Sequence, residues 1–346
     1  MFLEIKNKVE QELLSSLSAL NKLYSLSSIS SLLFEKIKEF ALRNGKRVRP
    51  ILFVIGYLGF AKKTAPGLYR GAISFELLHD FFLVHDDIID KSDTRRGRPS
   101  MHAMLNKYLS GYHHIKFNGE DLTIVIGDIM YAMSLNSFLS IKEKAERKER
   151  ALKKFIATAV CTASGEFIEL LYGLKNIDKI RKTDIYKIYD FKTANYTFAS
   201  PLTIGATLAG AKQIQIDRLF EYGKYLGRAF QIKDDILGIF GEENKIGKSN
   251  LTDLKETKKT ILIWYAYQNS NQINKSSIKR ILSKPKVNKT DLRKMRRLIV
   301  ASGALDYAKK EISLFIKKAQ SINAYIKMRT KYKDMLSDFS QEILKL

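Results

Sequence analysis

Apolar residues recur at three- and four-residue spacing along almost the whole chain, and the period-two alternation of a half-buried strand is nearly absent. Val9, Leu13, Leu17 and Leu20 open the first helical pattern. Further patterns cover about 68–90, 121–141, 144–173, 182–200, 213–240 and 258–269, with more beyond 290. Asn44-Gly45 predicts a helix end, because both residues tolerate a left-handed backbone. The pattern over Leu68 to Asp90 gives way to a polar loop, Lys91 to Pro99, that contains a glycine and a proline. The segment 142–154, rich in Lys, Glu and Arg, reads as an exposed helix start or connector. No fixed-period repeat and no linker divides the chain. The pattern predicts a single all-α domain over residues 1–346.

Composition narrows the class. With 45% hydrophobic and 28% charged residues the chain is neither disordered nor fibrous. Charges interrupt its longest apolar stretches before about 18 residues, so no transmembrane segment is expected. The opening Met1-Phe2-Leu3-Glu4-Ile5-Lys6-Asn7-Lys8 alternates where a signal peptide needs an unbroken apolar run, which suits a cytoplasmic protein. The single cysteine, Cys161, excludes an internal disulfide, and its small neighbours suggest helix packing. Lys and Arg number 60 against 36 acidic residues, a net charge of +24 that suits nucleic acid, a membrane surface or anionic substrates. The doublets Arg293-Lys294, Arg296-Arg297, Lys309-Lys310 and Lys317-Lys318 alternate with apolar residues at helical spacing and read as solvated helix faces. No aromatic-interleaved basic motif appears, so no nucleic acid is expected as a partner.

The sharpest local feature is Leu83-Val84-His85-Asp86-Asp87-Ile88-Ile89-Asp90. On a helix Asp86 and Asp90 share one face, while Asp87 turns about 100° away. Two carboxylates stacked on an apolar helix repel and lose hydration, so something positive must offset the cost. Hard oxygen ligands beside phosphate suit Mg2+; the plainer alternative is a pair of surface aspartates bound to arginines. A second cluster, Phe230-Gln231-Ile232-Lys233-Asp234-Asp235-Ile236-Leu237-Gly238, favours the metal. Its stripe of Gly227, Gln231, Asp234 and Gly238 suggests room for a ligand to approach between small residues. Two aspartate-rich helices facing each other would hold a metal–diphosphate cluster.

Basic residues lie near both clusters: Lys46-Arg47-Val48-Arg49-Pro50, Arg95-Arg96-Gly97-Arg98-Pro99, and Lys248, Lys258 and Lys259. Arginine forks and lysine point charges are what diphosphate recognition requires. Gly247-Lys248-Ser249 imitates the end of a phosphate-binding P-loop, but Glu242 stands where that motif needs glycine, and the segment follows a helix. His113-His114 has no matching ligand partners and reads as exposed polar sequence.

In this ordered set of motifs, extended by Gly127-Asp128, Lys192-Thr193, Asp253-Leu254 and Lys258-Lys259-Thr260, the chain resembles the trans-isoprenyl diphosphate synthases. These are the farnesyl and geranylgeranyl diphosphate synthase family, and the archaeal short-chain type is nearest in pattern. The resemblance implies an all-α bundle around a deep central cavity, a homodimer, Mg2+ as cofactor, and isopentenyl diphosphate and allylic diphosphates as substrates. Carried over residue by residue, it places Lys46, Arg49, His79 and Arg96 on isopentenyl diphosphate. Arg95, Lys192, Lys248 and Lys258 fall on the allylic diphosphate. Asp86, Asp90 and Asp234 become Mg2+ ligands supported by Asp87 and Asp235. Thr193 and Gln231, with Lys192, lie near the developing allylic cation. Asn44 and Thr257 replace glycines common in the family, and Gly238 stands where some members have a third aspartate.

Helical counting puts His79, Phe82, Asp86 and Asp90 on one stripe, with Phe82 one turn before the first aspartate. The resemblance adds Phe81, since bulky residues four and five positions before this motif act as a floor for the growing chain. Aromatics at both positions resemble farnesyl-forming enzymes, so farnesyl diphosphate is the expected product and geranylgeranyl diphosphate the alternative. The rival reading from another class is a non-catalytic homologue serving as a regulatory subunit.

Overall fold

The computed structural model describes residues 2–241 and 251–344, and it is all-α apart from one two-residue hairpin. The chain divides into two compact units, Met1–Lys153 with Ile204–Gly210, and Lys154–Thr203 with Ala211–Leu346.

The first unit holds α1 (Phe2–Tyr24), α2 (Leu26–Ile29), α3 (Ser31–Ala41), α4 (Val48–Leu58), α5 (Leu68–Ile89), α6 (Met101–Leu109) and α7 (Gly119–Leu139). The stripe Val9, Leu13, Leu17 and Leu20 is buried, as the spacing predicts. Each such side chain contributes about 1.5–3 kcal/mol by leaving water. Helix α4 is missing from the periodicity because it is buried from Pro50 to Leu58 and apolar on every face. An Asn118–Asp121 capping box starts α7, which packs along α5. Gly127 makes that packing possible: a Cβ there would stand 2.2 Å from Cε1 of His85.

The chain does leave a helix before Asn44, at Ala41, but the left-handed residue is Arg47, with φ 50°. Its buried guanidinium holds that conformation by donating to Glu76 at 2.5 Å, Glu10 at 2.8 Å and the carbonyls of Ala41 and Arg43 at 3.2 and 2.7 Å. Side-chain bonding here does what a glycine does elsewhere by lacking a Cβ.

The loop predicted over Lys91–Pro99 closes as the hairpin β1 (Thr94–Arg95) and β2 (Arg98–Pro99). Arg43 anchors it, donating to the carbonyls of Arg95 and Pro99 at 3.3 and 2.9 Å while paired with Glu39.

In the second unit, the part of α8 (Ala145–Gly173) from Lys154 onward precedes α9 (Lys182–Ile188). A π-helical stretch, Tyr189–Ala199, then leads into α10 (Ser200–Leu208), of which Ser200–Thr203 belongs to this unit. Helix α11 (Gln213–Phe240) packs against that stretch and against the helix Ala304–Tyr325. Additional helices run over Ile261–Gln268, Gln272–Leu282, Lys289–Ala301 and Thr330–Leu344. Of the C-terminal basic doublets, Arg293, Arg297, Lys309, Lys310, Lys317 and Lys318 are exposed. Arg296 instead donates to the Ile239 carbonyl at 2.6 Å, near the end of α11.

One expectation is corrected. The small residues of the 227–238 stripe were to leave room for a ligand, yet Gly227 is buried against protein backbone. A Cβ on Gly227 would stand 2.3 Å from Cα of Ala194, and one on Gly223 would stand 2.5 Å from Cα of Ala199. Both glycines admit the π-helical stretch.

Helices α7 and α8 are long and apolar enough to cross a membrane by length and composition, with 44% and 22% of their apolar windows buried. Each carries carboxylates within its length, Asp121 and Asp128 in α7 and Glu166 and Glu169 in α8.

Gly227→Ala is expected to lower stability by about 1–3 kcal/mol, because the added methyl has no room. Gly111→Ala, where the nearest atom to a new Cβ is 4.0 Å away, serves as the control. Urea unfolding midpoints of the two variants check this.

Candidate active site

One aspartate motif falls in each unit. In the first, the end of α5 carries Asp86, Asp87 and Asp90. Asp86 and Asp90 are half-buried, and carboxylate oxygens of the two lie within 4.8 Å of one another. Asp87 is buried, as its turn away from that face predicts. Arg95 spans the pair: its Nε donates to Asp87 Oδ1 at 2.7 Å and its Nη2 to Asp86 Oδ2 at 3.0 Å. Burial outweighs the arginine at Asp87 and pushes its carboxyl up to about 6.

Arg96 follows in a left-handed conformation, φ 56°. Its guanidinium lies 3.6 Å from Glu76 and 3.9 Å from Asp80. Burial first, then Arg49, Arg96, Arg95 and Arg47, hold the His79 imidazole well below its usual range, so it is neutral at pH 7. Lys46 is exposed and Arg49 half-buried at the start of α4. The charges of Arg49, Arg95 and Arg96 thus act on His79, and Arg95 also reaches the acidic end of α5.

Phe81 and Phe82 are both half-buried. The Phe81 ring packs 4.9 Å from Phe82, 4.8 Å from His85 and 5.2 Å from Tyr131 of α7.

In the second unit Lys192 lies in the π-helical stretch, its ammonium 2.5 Å from both Glu166 and Glu169 of α8. Gly165 allows this contact, since a Cβ there would stand 2.7 Å from the Lys192 amide nitrogen. The Thr193 hydroxyl donates to Gln231 Oε1 at 2.6 Å, and Gln231 Nε2 donates to Asp235 Oδ1 at 2.9 Å. Asp235 is buried and also accepts from the Tyr189 hydroxyl. Asp234, one residue earlier, is exposed. The two aspartates thus differ in surroundings, the first facing water and the second inside a hydrogen-bond network.

Lys258 pairs with Glu256 at 2.5 Å. Its neighbour Lys259 donates to the Gly173 carbonyl at 2.7 Å, and burial brings its ammonium down to about 8. Thr257, in the place of a family glycine, has φ 53°. That is a strained conformation for a β-branched residue. Lys248 lies outside the described residues.

Five participants were not singled out from the pattern: Glu76, Asp80, Glu166, Glu169 and Tyr189. The signal for Glu166 and Glu169 was present, because two carboxylates three apart in the otherwise uncharged C-terminal part of α8, residues 155–173, pose the same electrostatic problem as Asp86 and Asp90. Tyr189 and Asp80 carry no such sequence signal.

Residues 30–299 match the polyprenyl synthetase family. The short chain isoprenyl diphosphate synthase of Methanocaldococcus jannaschii is 29% identical over 311 residues, spanning 88% of this chain and 84% of its own. The geranylfarnesyl diphosphate synthase of Aeropyrum pernix is 32% identical over 286 residues, spanning 80% and 82%. A geranylgeranyl pyrophosphate synthase from Corynebacterium glutamicum, solved with isoprenyl diphosphate and magnesium, has a TM-score of 0.88 at 26% identity over 97% of each chain. The fold is that of the all-α isoprenoid synthases.

Asp80 yields a pH test. Both its carboxylate oxygens are buried without a hydrogen-bond partner. Burial and Glu76 push the group up to about 8, against the opposing pull of Arg96, Arg47 and Arg49. A raised acid stabilises the fold fully below its ordinary value of 3.8, and that contribution is lost as pH rises to about 8. The loss is up to about 1.4 kcal/mol per pH unit. Asp80→Asn is expected to flatten the fall in stability across this window, as measured by denaturant unfolding at several pH values.

Proposed function

The chain belongs to the polyprenyl synthetase family and is a prenyltransferase, and from that premise we propose that it condenses isopentenyl diphosphate with a short allylic diphosphate, head to tail. The observation that carries this reading is the Asp86–Asp90 carboxylate pair, half-buried at the end of α5 and bordered by Arg95. Its donors are hard anionic oxygens on one helix face, which fit Mg2+. Asp86, Asp90 and Asp234 would serve as Mg2+ ligands, each within its own unit, with Asp87 and Asp235 in support. When bound, Mg2+ supplies positive charge to the departing diphosphate.

The protein's own residues do the rest. Lys46, Arg49, His79 and Arg96 bind isopentenyl diphosphate, His79 as a neutral imidazole. Arg95, Lys192, Lys248 and Lys258 bind the allylic diphosphate. As the allylic C–O bond ionises, the Thr193 and Gln231 oxygens present the negative ends of their dipoles to the cation. The double bond of isopentenyl diphosphate attacks the cation, and the proton is lost to the released diphosphate. Apolar walls keep out the water that would quench the cation.

Residues 1–346 act in this proposal as one catalytic domain of a cytoplasmic homodimer. Exposed apolar side chains support the dimer, among them Ile124 and Val125 on α7 and Val160, Phe167 and Leu170 on α8. For the product we propose farnesyl diphosphate, with Phe81 and Phe82 as the floor. The alternative, geranylgeranyl diphosphate, draws support from the name of the Corynebacterium glutamicum relative.

Purified protein with Mg2+ and isopentenyl diphosphate is expected to extend dimethylallyl and geranyl diphosphates to fifteen carbons, read by product sizing. Phe82→Ala is expected to lengthen the product by one or more units. Unchanged length in that variant contradicts the floor. Absence of any product from folded protein and every primer contradicts the enzyme, in favour of the regulatory subunit.

A further inference from the structure

Gln231 can present either end of its amide to the reacting centre, and the two ends carry opposite partial charges. The choice is made by a run of hydrogen bonds behind it. The backbone N–H of Ile261 donates to the Tyr189 hydroxyl at 3.0 Å, and that hydroxyl donates to Asp235 Oδ2. Asp235 Oδ1 accepts from Gln231 Nε2 at 2.9 Å, and Gln231 Oε1 accepts from Thr193 at 2.6 Å. Both Asp235 oxygens accept in this arrangement, so Asp235 takes the NH2 end of the amide and leaves its oxygen to Thr193. Asp235 in turn depends on Tyr189, and Tyr189 on the first turn of the helix Ile261–Gln268, where a backbone N–H has no partner within its own helix.

We propose that Tyr189 is a positioning residue of this reaction: through Asp235 it fixes the amide of Gln231 with its oxygen beside Thr193, at the site of the allylic cation. The assignment rests on the prenyl transfer proposed above. It gives Asp235 a task distinct from metal binding, since both of its oxygens serve the network. It also links the segment bearing Lys258 to the group that stabilises the cation, because Ile261 lies three residues after that lysine.

The tyrosine ring is buried, so Tyr189→Phe keeps the packing and deletes only the hydroxyl. The expected result is a fall in kcat of about tenfold, the cost of one orienting hydrogen bond. KM for either diphosphate should change by less than about twofold if ground-state binding is untouched. In a Gln231→Met background the same change should cost less than about twofold, because the group it orients is gone. Equal kcat in Tyr189→Phe and wild type overturns the proposal. So does a raised KM at constant kcat, a loss that tracks a fall in folded fraction, or an undiminished tenfold effect in the Gln231→Met background.

A second readout needs no turnover. Solvent exchange of the Gln231 side-chain NH2 protons, followed by NMR, should quicken in Tyr189→Phe, and unchanged exchange overturns the relay. A wild-type protein without activity but with this exchange response rejects the proposed reaction and keeps the relay.

Discussion

A charge set among apolar helices has to find an opposite charge, and this requirement organises both units. Removing an ion from water costs several kcal/mol even after relaxation, and only close pairing returns it. The first unit answers with Arg47 between Glu76 and Glu10, and with Arg95 across Asp86 and Asp87. The second answers with Lys192 between Glu166 and Glu169, and with Arg228 on Asp190 through two bonds of 2.6 and 2.5 Å. Two of these pairings, those of Arg95 and Lys192, hold candidate site residues in place while neutralising them. Arg95 and Lys192 are also two of the four cations proposed above to bind the allylic diphosphate.

Close backbone approach is the second condition. Gly127 admits the His85 ring, Gly165 admits the Lys192 backbone, and Gly223 and Gly227 admit Ala199 and Ala194. Three of these four glycines face the π-helical stretch Tyr189–Ala199. π-helical hydrogen bonding is rare and concentrates at functional sites, and here the stretch contains Tyr189, Lys192 and Thr193. A stretch of irregular helix is costly alone. Packed against glycines on two neighbours, it is held.

The helical class and most long helices were legible from apolar spacing, because α1, α8 and α11 each bury one side and wet another. Helix α4 was not, because a helix buried all round has no polar face to mark its period. Asp86, Asp90 and Gln231 were legible as candidates from residue type and spacing, and Lys192 and Thr193 through the family resemblance alone. What they touch was not. The bond from Tyr189 to Asp235 joins positions 46 residues apart, and no local pattern announces it. Nor could spacing tell that Gly227 serves helix contact and not a ligand, since both uses need the same missing side chain.

The central proposal is that each aspartate motif takes part in Mg2+-dependent binding of diphosphate. Calorimetric titration of inorganic diphosphate, with and without Mg2+, tests it without any turnover. The account predicts binding that needs Mg2+ and falls at least about tenfold, or about 1.4 kcal/mol, in Asp86→Asn and in Asp234→Asn. Binding that is equally tight without Mg2+, or unchanged in both variants, would contradict it.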